Sequence, residues 1–227
     1  MIPKRIIQCY TNHNLPLIYK IGQEIIQETC ESYEYIFYTN RLMSKFVEIN
    51  YPQYIELYES LLESNRKILF ILLELYKNGG IFLDNNVILH KSFDELLENN
   101  CCILPLSNNK MIDKYCICTN KENKFIFYLI LKISSKYNLN NNFITNKILY
   151  ELYINYIENI GKEIKVIYGE YNYCFGDFLY NIKINSESTN YPEWFKNNIY
   201  DIETKKKVKN TLRNDIKWLD NISYKFL

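Results

Sequence analysis

Residues Asn65–Lys77 carry apolar side chains at helical spacing (Ile68, Leu69, Ile71, Leu72, Leu75, Tyr76), and Asn78-Gly79-Gly80 stops the run. Ile81-Phe82-Leu83 follows at once and ends in Asp84-Asn85-Asn86. A buried helix joined through two glycines to a short hydrophobic strand is a unit of α/β sheets, and open α/β sheets bind ligands at the carboxyl ends of their strands. The glycines permit a tight helix-to-strand turn and close backbone approach. If the strand continues, Asp84 and Asn86 point to one side, where two oxygen-bearing side chains can share a hard divalent cation or a set of sugar hydroxyls. Asp-Asn-Asn is also good turn sequence, so a plain polar turn is the other reading.

The rest of the chain alternates short β-like runs with helical stretches, which predicts an α/β fold with a mostly parallel sheet flanked by helices. Strands are expected at Arg5–Tyr10, Tyr35–Tyr38, Ile81–Leu83, Cys101–Leu106, Tyr115–Cys118 and Glu163–Ile167, with Val87-Ile88-Leu89 as a further apolar run. Helices are expected at Leu17–Cys30, Arg41–Ile49, Gln53–Leu61 (divided from the last by Pro52), Phe93–Leu97, Phe125–Lys136, Phe143–Ile157 and Ile202–Leu219. Asn138–Asn142 and Asn185–Asn190 read as polar loops. No repeat or long linker divides the 227 residues, so one domain over 1–227 is expected, with a binding half at 1–100 and a variable half at 101–227.

Composition excludes several classes. Hydrophobic residues at 48% and charged residues at 23% suit a globular chain rather than a disordered one. No apolar run reaches the roughly 18 residues of a membrane helix and the N-terminus lacks a signal-peptide core, so a cytoplasmic protein without a membrane span is expected. A net charge of +1 argues against a nucleic-acid partner, since phosphate binding needs clustered Lys and Arg. Lys205-Lys206-Lys207-Val208-Lys209 reads as the solvated face of a helix. The seven cysteines include no C-x-x-C pair and read as reduced thiols, mostly in the core; the Cys101-Cys102 and Cys116/Cys118 pairs lack the partners of a zinc site. The absence of alanine and the excess of Asn, Ile, Lys and Tyr fit an AT-rich genome, of a giant virus, a protist or a bacterium; a viral protein would then act in host cytoplasm.

Four segments together resemble a known family. Ile2-Pro3-Lys4-Arg5-Ile6-Ile7-Gln8-Cys9-Tyr10 is similar to the IPKxIHQxW opening of glycosyltransferase family 32, the transferases with a DXD-containing sugar-binding region. Ser32-Tyr33-Glu34-Tyr35-Ile36-Phe37-Tyr38 resembles that family's second strand, and Tyr51-Pro52 its recurring YP. Leu75–Val87 resembles LYxxGGIYLDxDV, with Ser92-Phe93-Asp94-Glu95-Leu96 behind it.

The resemblance implies a GT-A (Rossmann-like) fold, a nucleotide-sugar donor (a UDP- or GDP-sugar), a glycan or protein acceptor, a divalent Mn or Mg ion and a retaining transfer. Carried over, Tyr10 would stack on the nucleotide base, Gly79 and Gly80 would border the donor, Asp84 would contact donor and metal, and Asn86 would face the metal. In this chain Asn86 replaces the last DXD carboxylate, Ile7 replaces the opening His, and Ile68 and Ile71 occupy the register of an Asp and an Arg that contact the donor sugar. Asn65 and Arg66 lie one turn earlier as substitutes, and Asp177, Asp201 and Asp215 are other carboxylates. Of the two histidines, His13 and His90, the latter reads as a surface residue. The aromatic segments Tyr171-Asn172-Tyr173 and Tyr191–Phe195 could stack on sugars or fill core. The alternative to a transferase is a catalytically silent GT-A-like domain that binds carbohydrate or protein.

Overall fold

A computed structural model of the chain describes residues 1–85, 87, 89, 92–107, 111–112, 114–136, 145–161 and 165–168. Asn86, His90, residues 169–227 and the carboxylates and aromatic segments expected there lie outside the described residues, as do both polar loops.

The opening strand β1 (Arg5–Tyr10) is followed by α1 (Leu17–Thr29) and β2 (Glu34–Thr39). Next come α2 (Asn40–Asn50), a 3-10 turn at Pro52–Tyr54, α3 (Ile55–Ser60), α4 (Glu63–Asn78) and β3 (Gly80–Leu83). The short α5 (Asp94–Leu97) leads to β4 (Cys102–Ser107), β5 (Met111–Ile112) and β6 (Cys116–Thr119). Helices α6 (Lys124–Lys136) and α7 (Asn146–Asn159) and strand β7 (Lys165–Tyr168) complete the order. Polar side chains start the helices where the chain supplies them. Thr39 and Thr145 each accept a backbone N–H through Oγ1, and Asn123 Oδ1 accepts the N–H groups of both Phe125 and Ile126.

The strands form one sheet in the order β2-β1-β3-β6-β4-β5, with β7 on the other side of β4. The α/β class and helix-flanked, Rossmann-like sheet of the GT-A expectation are what the chain builds. The sheet is mixed rather than mostly parallel. β1 runs parallel to β2 and β3, and β7 to β4, but β6 is antiparallel to both β3 and β4, and β5 is antiparallel to β4. Among the described residues, the connection from β3 to β4 carries the short helix α5, and β4, β5 and β6 follow one another closely in sequence and pair antiparallel through β4.

The strand order makes a switch point at β1. The chain leaves β1 toward β2 on one side and returns through α2–α4 to β3 on the other, and the carboxyl ends of strands at such a point are where open α/β sheets form their binding crevice. Helix α4 anchors this half: every residue from Ile68 to Leu75 is buried. Its apolar side chains pack with Phe82, Met43, Val47 and the α6/α7 residues Phe125, Leu129 and Tyr153 in one core. At roughly 1.5–3 kcal/mol for each fully buried Leu, Ile or Phe, this helix is the main stabilising element beneath the crevice.

Two glycines let α4 enter β3. Gly79 has φ +67°, and a Cβ there would lie 2.7 Å from Lys121 N and 2.9 Å from Pro3 Cδ. Gly80 has φ +122°, and its Cβ would lie 2.9 Å from the Arg5 carbonyl oxygen. Backbone on the far side of each contact leaves little room to yield, so the helix stop and the β1–β3 pairing both require glycine.

Candidate functional site

Asp84 follows the last residue of β3 directly, at the carboxyl edge of the sheet. Its backbone is fixed from both sides. Its N–H donates to Tyr115 O at 2.8 Å, and the buried Gln8 of β1 donates from Nε2 to Asp84 O at 3.4 Å, while Tyr35 OH donates to Gln8 Oε1 at 2.6 Å. Val87 N also donates to Asp84 O at 3.0 Å. Strand β3 stops at Leu83. Asn85 turns inward, 6% exposed, and donates from Nδ2 to Cys9 O at 2.9 Å, tying the turn to the end of β1.

The Asp84 carboxylate neither faces bulk water nor is sealed away: its side chain is 14% exposed. Lys67, from the first half of α4, meets it with Nζ 2.8 Å from Oδ2. The ammonium also stands 5.8 Å from the Phe82 ring centroid. Burial, the largest influence, works to lower the pKa of Lys67, yet negative charge at Cys9 and Asp84 outweighs it and the net shift is upward. Burial pushes the Cys9 thiol itself up to about 12, with Lys67 opposing and Asp84 reinforcing the change. At neutral pH Cys9 is therefore uncharged and Asp84 is the operative partner of Lys67.

Tyr10 ends β1 half-buried, and Tyr19 of α1 packs edge-on against it with centroids 5.8 Å apart. Tyr19 is held in its neutral phenol form, by burial first and then by the nearby Asp84 charge. The edge of the crevice thus carries an aromatic pair on β1 and α1 and an ion pair on β3 and α4.

Other expected positions fall elsewhere. Gly79 and Gly80 sit at the amino end of β3 beside Pro3, Arg5 and Lys121, a whole strand away from Asp84, and shape the turn rather than border the crevice. Ile68 and Ile71 are core residues, 7% and 4% exposed, so the register where the resemblance places an acid and a base is apolar and packed. Arg66 is spent on the end of α3: its Nη2 donates to the carbonyls of Glu59 and Leu61 at 3.2 and 2.9 Å. Asn65 is fully buried within α4. Lys67 is the residue that sequence reasoning missed. The signal was there: Lys67 and Glu74 are charged residues seven apart in an apolar helix, hence on one face and both turned toward the sheet.

The divalent cation implied by the resemblance can be tested against these side chains. Among the described residues no group of three or more His, Cys, Asp and Glu could hold a metal ion. The Asp84 carboxylate already faces a fixed ammonium. A doubly charged ion sharing that carboxylate would stand about 4 Å from Nζ, a repulsion that at an effective dielectric near 20 offsets about half of the ion's attraction to the carboxylate. The described residues do not fit a divalent cation at Asp84 while Lys67 holds this position.

Similarity to known proteins is concentrated in the first half of the chain. Residues 19–103 match the family model described as a glycosyltransferase sugar-binding region containing the DXD motif, a stretch that includes α4, β3 and Asp84. The inositol phosphoceramide mannosyltransferase 3 of Schizosaccharomyces pombe is 30% identical over 99 residues, covering 42% of this chain and 27% of its own length. The mannosyl phosphorylinositol ceramide synthase SUR1 of Saccharomyces cerevisiae is 27% identical over 100 residues, covering 43% and 26%. The chain thus spans about a quarter of the length of the curated relatives it matches. Among solved structures, the PaToxG glycosyltransferase is similar at a TM-score of 0.49 with 13% identity, over 96% of this chain and 87% of that one. No helix among the described residues is long and apolar enough to cross a membrane. Through residues 19–103, the chain is similar to the glycosyltransferases whose sugar-binding region contains the DXD motif.

Proposed function

We propose that this chain is a glycosyltransferase that moves a sugar from a UDP- or GDP-sugar to a glycan or protein acceptor, with retention of configuration. The observation that carries the reading is Asp84. The carboxylate stands at the carboxyl end of β3, beside the β1 switch point, inside the matched region, with its backbone pinned by Gln8 and Tyr115. A carboxylate so fixed accepts hydrogen bonds from sugar or ribose hydroxyls without losing entropy when the donor arrives. Tyr10 and Tyr19 offer an aromatic face for a nucleobase at the neighbouring strand end. One domain contributes both halves of the site, the donor side from 1–100 and the acceptor side from 101–227.

One observation favours the second reading, a silent carbohydrate- or protein-binding domain: Ile68 and Ile71 are packed apolar residues where the family's donor-sugar contacts would lie. A panel of UDP- and GDP-sugars separates the two. The transferase releases free nucleotide from one of them, and Asp84→Ala reduces that release at least a hundredfold while circular dichroism stays unchanged. Absence of nucleotide release from every donor, with glycan or protein binding retained, would establish the silent domain instead.

A further inference from the structure

We infer that Lys67 is the cation of the donor site, binding the diphosphate of a nucleoside diphosphate directly, so that nucleotide binding needs no divalent metal. The inference rests on the donor-site reading above and deepens it. A diphosphate at the carboxyl edge of the sheet requires positive charge aimed at its oxygens. Lys67 supplies it from a fixed place. Its ammonium has three N–H donors, of which Asp84 Oδ2 takes one at 2.8 Å, and its side chain is 29% exposed. The ammonium stands over the buried Phe82 ring, 5.8 Å from its centroid. Asp84 both orients the ammonium and keeps it charged, and the same pairing occupies the carboxylate that a metal ion would need. No cluster of three metal-ligating side chains stands among the described residues to compensate.

The other charges on this half of α4 are otherwise engaged. Arg66 closes the end of α3, and Glu63 accepts from Asn40 Nδ2 at 2.9 Å. On the opposite half, Glu74 is paired with Arg5. Lys67 is therefore the side chain of α4 that joins charge, partial exposure and contact with Asp84.

The test measures UDP and GDP binding to the full chain by calorimetry, once in EDTA and once with Mn. Equal affinity in the two buffers is expected for the nucleotide that binds. Lys67→Met should weaken that affinity at least tenfold and Lys67→Arg should restore most of it, with melting temperatures showing that both variants fold. Binding that requires Mn and is indifferent to Lys67→Met would overturn the inference while leaving the transferase reading intact. Failure of both nucleotides to bind, with or without Mn, would overturn both. The EDTA arm uses the wild-type chain, so a misfolded variant cannot decide the result.

Discussion

Lys67 and Glu74 stand seven residues apart on one face of α4, and each carries its charge to an opposite end of the central strands. Lys67 meets Asp84 at the carboxyl edge, whereas the buried Glu74 meets Arg5 at the start of β1, with Arg5 Nη2 3.1 Å from Oε1. Two turns of helix rise about 10 Å, close to the roughly 13 Å that four strand residues span from Gly80 to Asp84. The helix thereby holds β1 and β3 in register and presents the reactive edge with the same element.

The lower pair predicts an asymmetric mutational cost. Glu74 Oε1 also accepts from Tyr38 OH at 3.2 Å and Asn78 Nδ2 at 3.1 Å, and the residue is fully buried. Arg5 is 18% exposed and keeps Glu34 and the Gly79 carbonyl if Glu74 is lost. Arg5→Met strands a buried carboxylate and should destabilise by about 3–5 kcal/mol, while Glu74→Gln, which keeps the neutral hydrogen bonds, should cost about half as much. Urea unfolding of both variants checks the order; equal losses would mean that the Glu74 charge is not what Arg5 supports.

Glycine at 80 makes a second prediction. Gly80→Ala must place a Cβ near the Arg5 carbonyl oxygen while holding φ near +122°. Strain of about 1–3 kcal/mol for the backbone, with the contact added to it, should lower stability by at least 2 kcal/mol. Because Asp84 lies at the far end of β3, nucleotide affinity in the folded fraction should stay within a factor of three of wild type. A larger loss of affinity at full folding would place Gly80 at the ligand after all.

Much of this arrangement was legible in the sequence because burial writes a period. Arg5–Tyr10 was bounded to the residue, and α4 to within two, since a run buried on all sides has no other use for so many apolar side chains. Strand direction was not legible: that β6 pairs antiparallel with both β3 and β4 depends on contacts distant in sequence, and Cys116–Thr119 reads the same in either direction. Lys67 escaped for a different reason. The family resemblance marks the register of Ile68 and Ile71, and a lysine at a helix start is ordinarily a solvated one. A polar turn and a site are alternatives in the sequence, yet Val87 N–H binds the Asp84 carbonyl while the part-buried Asp84 carboxylate still meets Lys67.

Thiol chemistry offers a third check on which strands form the interior. Burial pushes Cys9 up to about 12 and raises Cys102, and Cys118, whose sulfur lies 3.9 Å from that of Cys116, is raised by that contact and by burial. Cys101 and Cys116 are partly exposed. Alkylation of the native chain at pH 8 should modify Cys101 and Cys116 well before Cys9, Cys102 and Cys118, as followed by peptide mass spectrometry. Early modification of Cys9 would mean that the β1 end opens readily and that the Asn85 hydrogen bond to its carbonyl does not hold the turn.

The last prediction concerns acid. Asp94, at the start of α5, is held down to about 2 by its pairing with Lys4 first and by the Ser92 hydroxyl next, while Tyr33 OH also donates to it at 3.1 Å. Its folded-state value lies below the unfolded carboxylate value of about 3.9, so the fold favours the deprotonated form. The contribution of this charge is therefore complete above the unfolded value and disappears as pH falls through the folded one. The difference in urea midpoint between wild type and Asp94→Asn should stay level from pH 7 to pH 5 and close between about pH 4 and pH 2. A difference that persists to pH 2 would show that Asp94 acts through neutral hydrogen bonds to Ser92 and Tyr33, and that the Lys4 charge tying β1 to α5 contributes nothing.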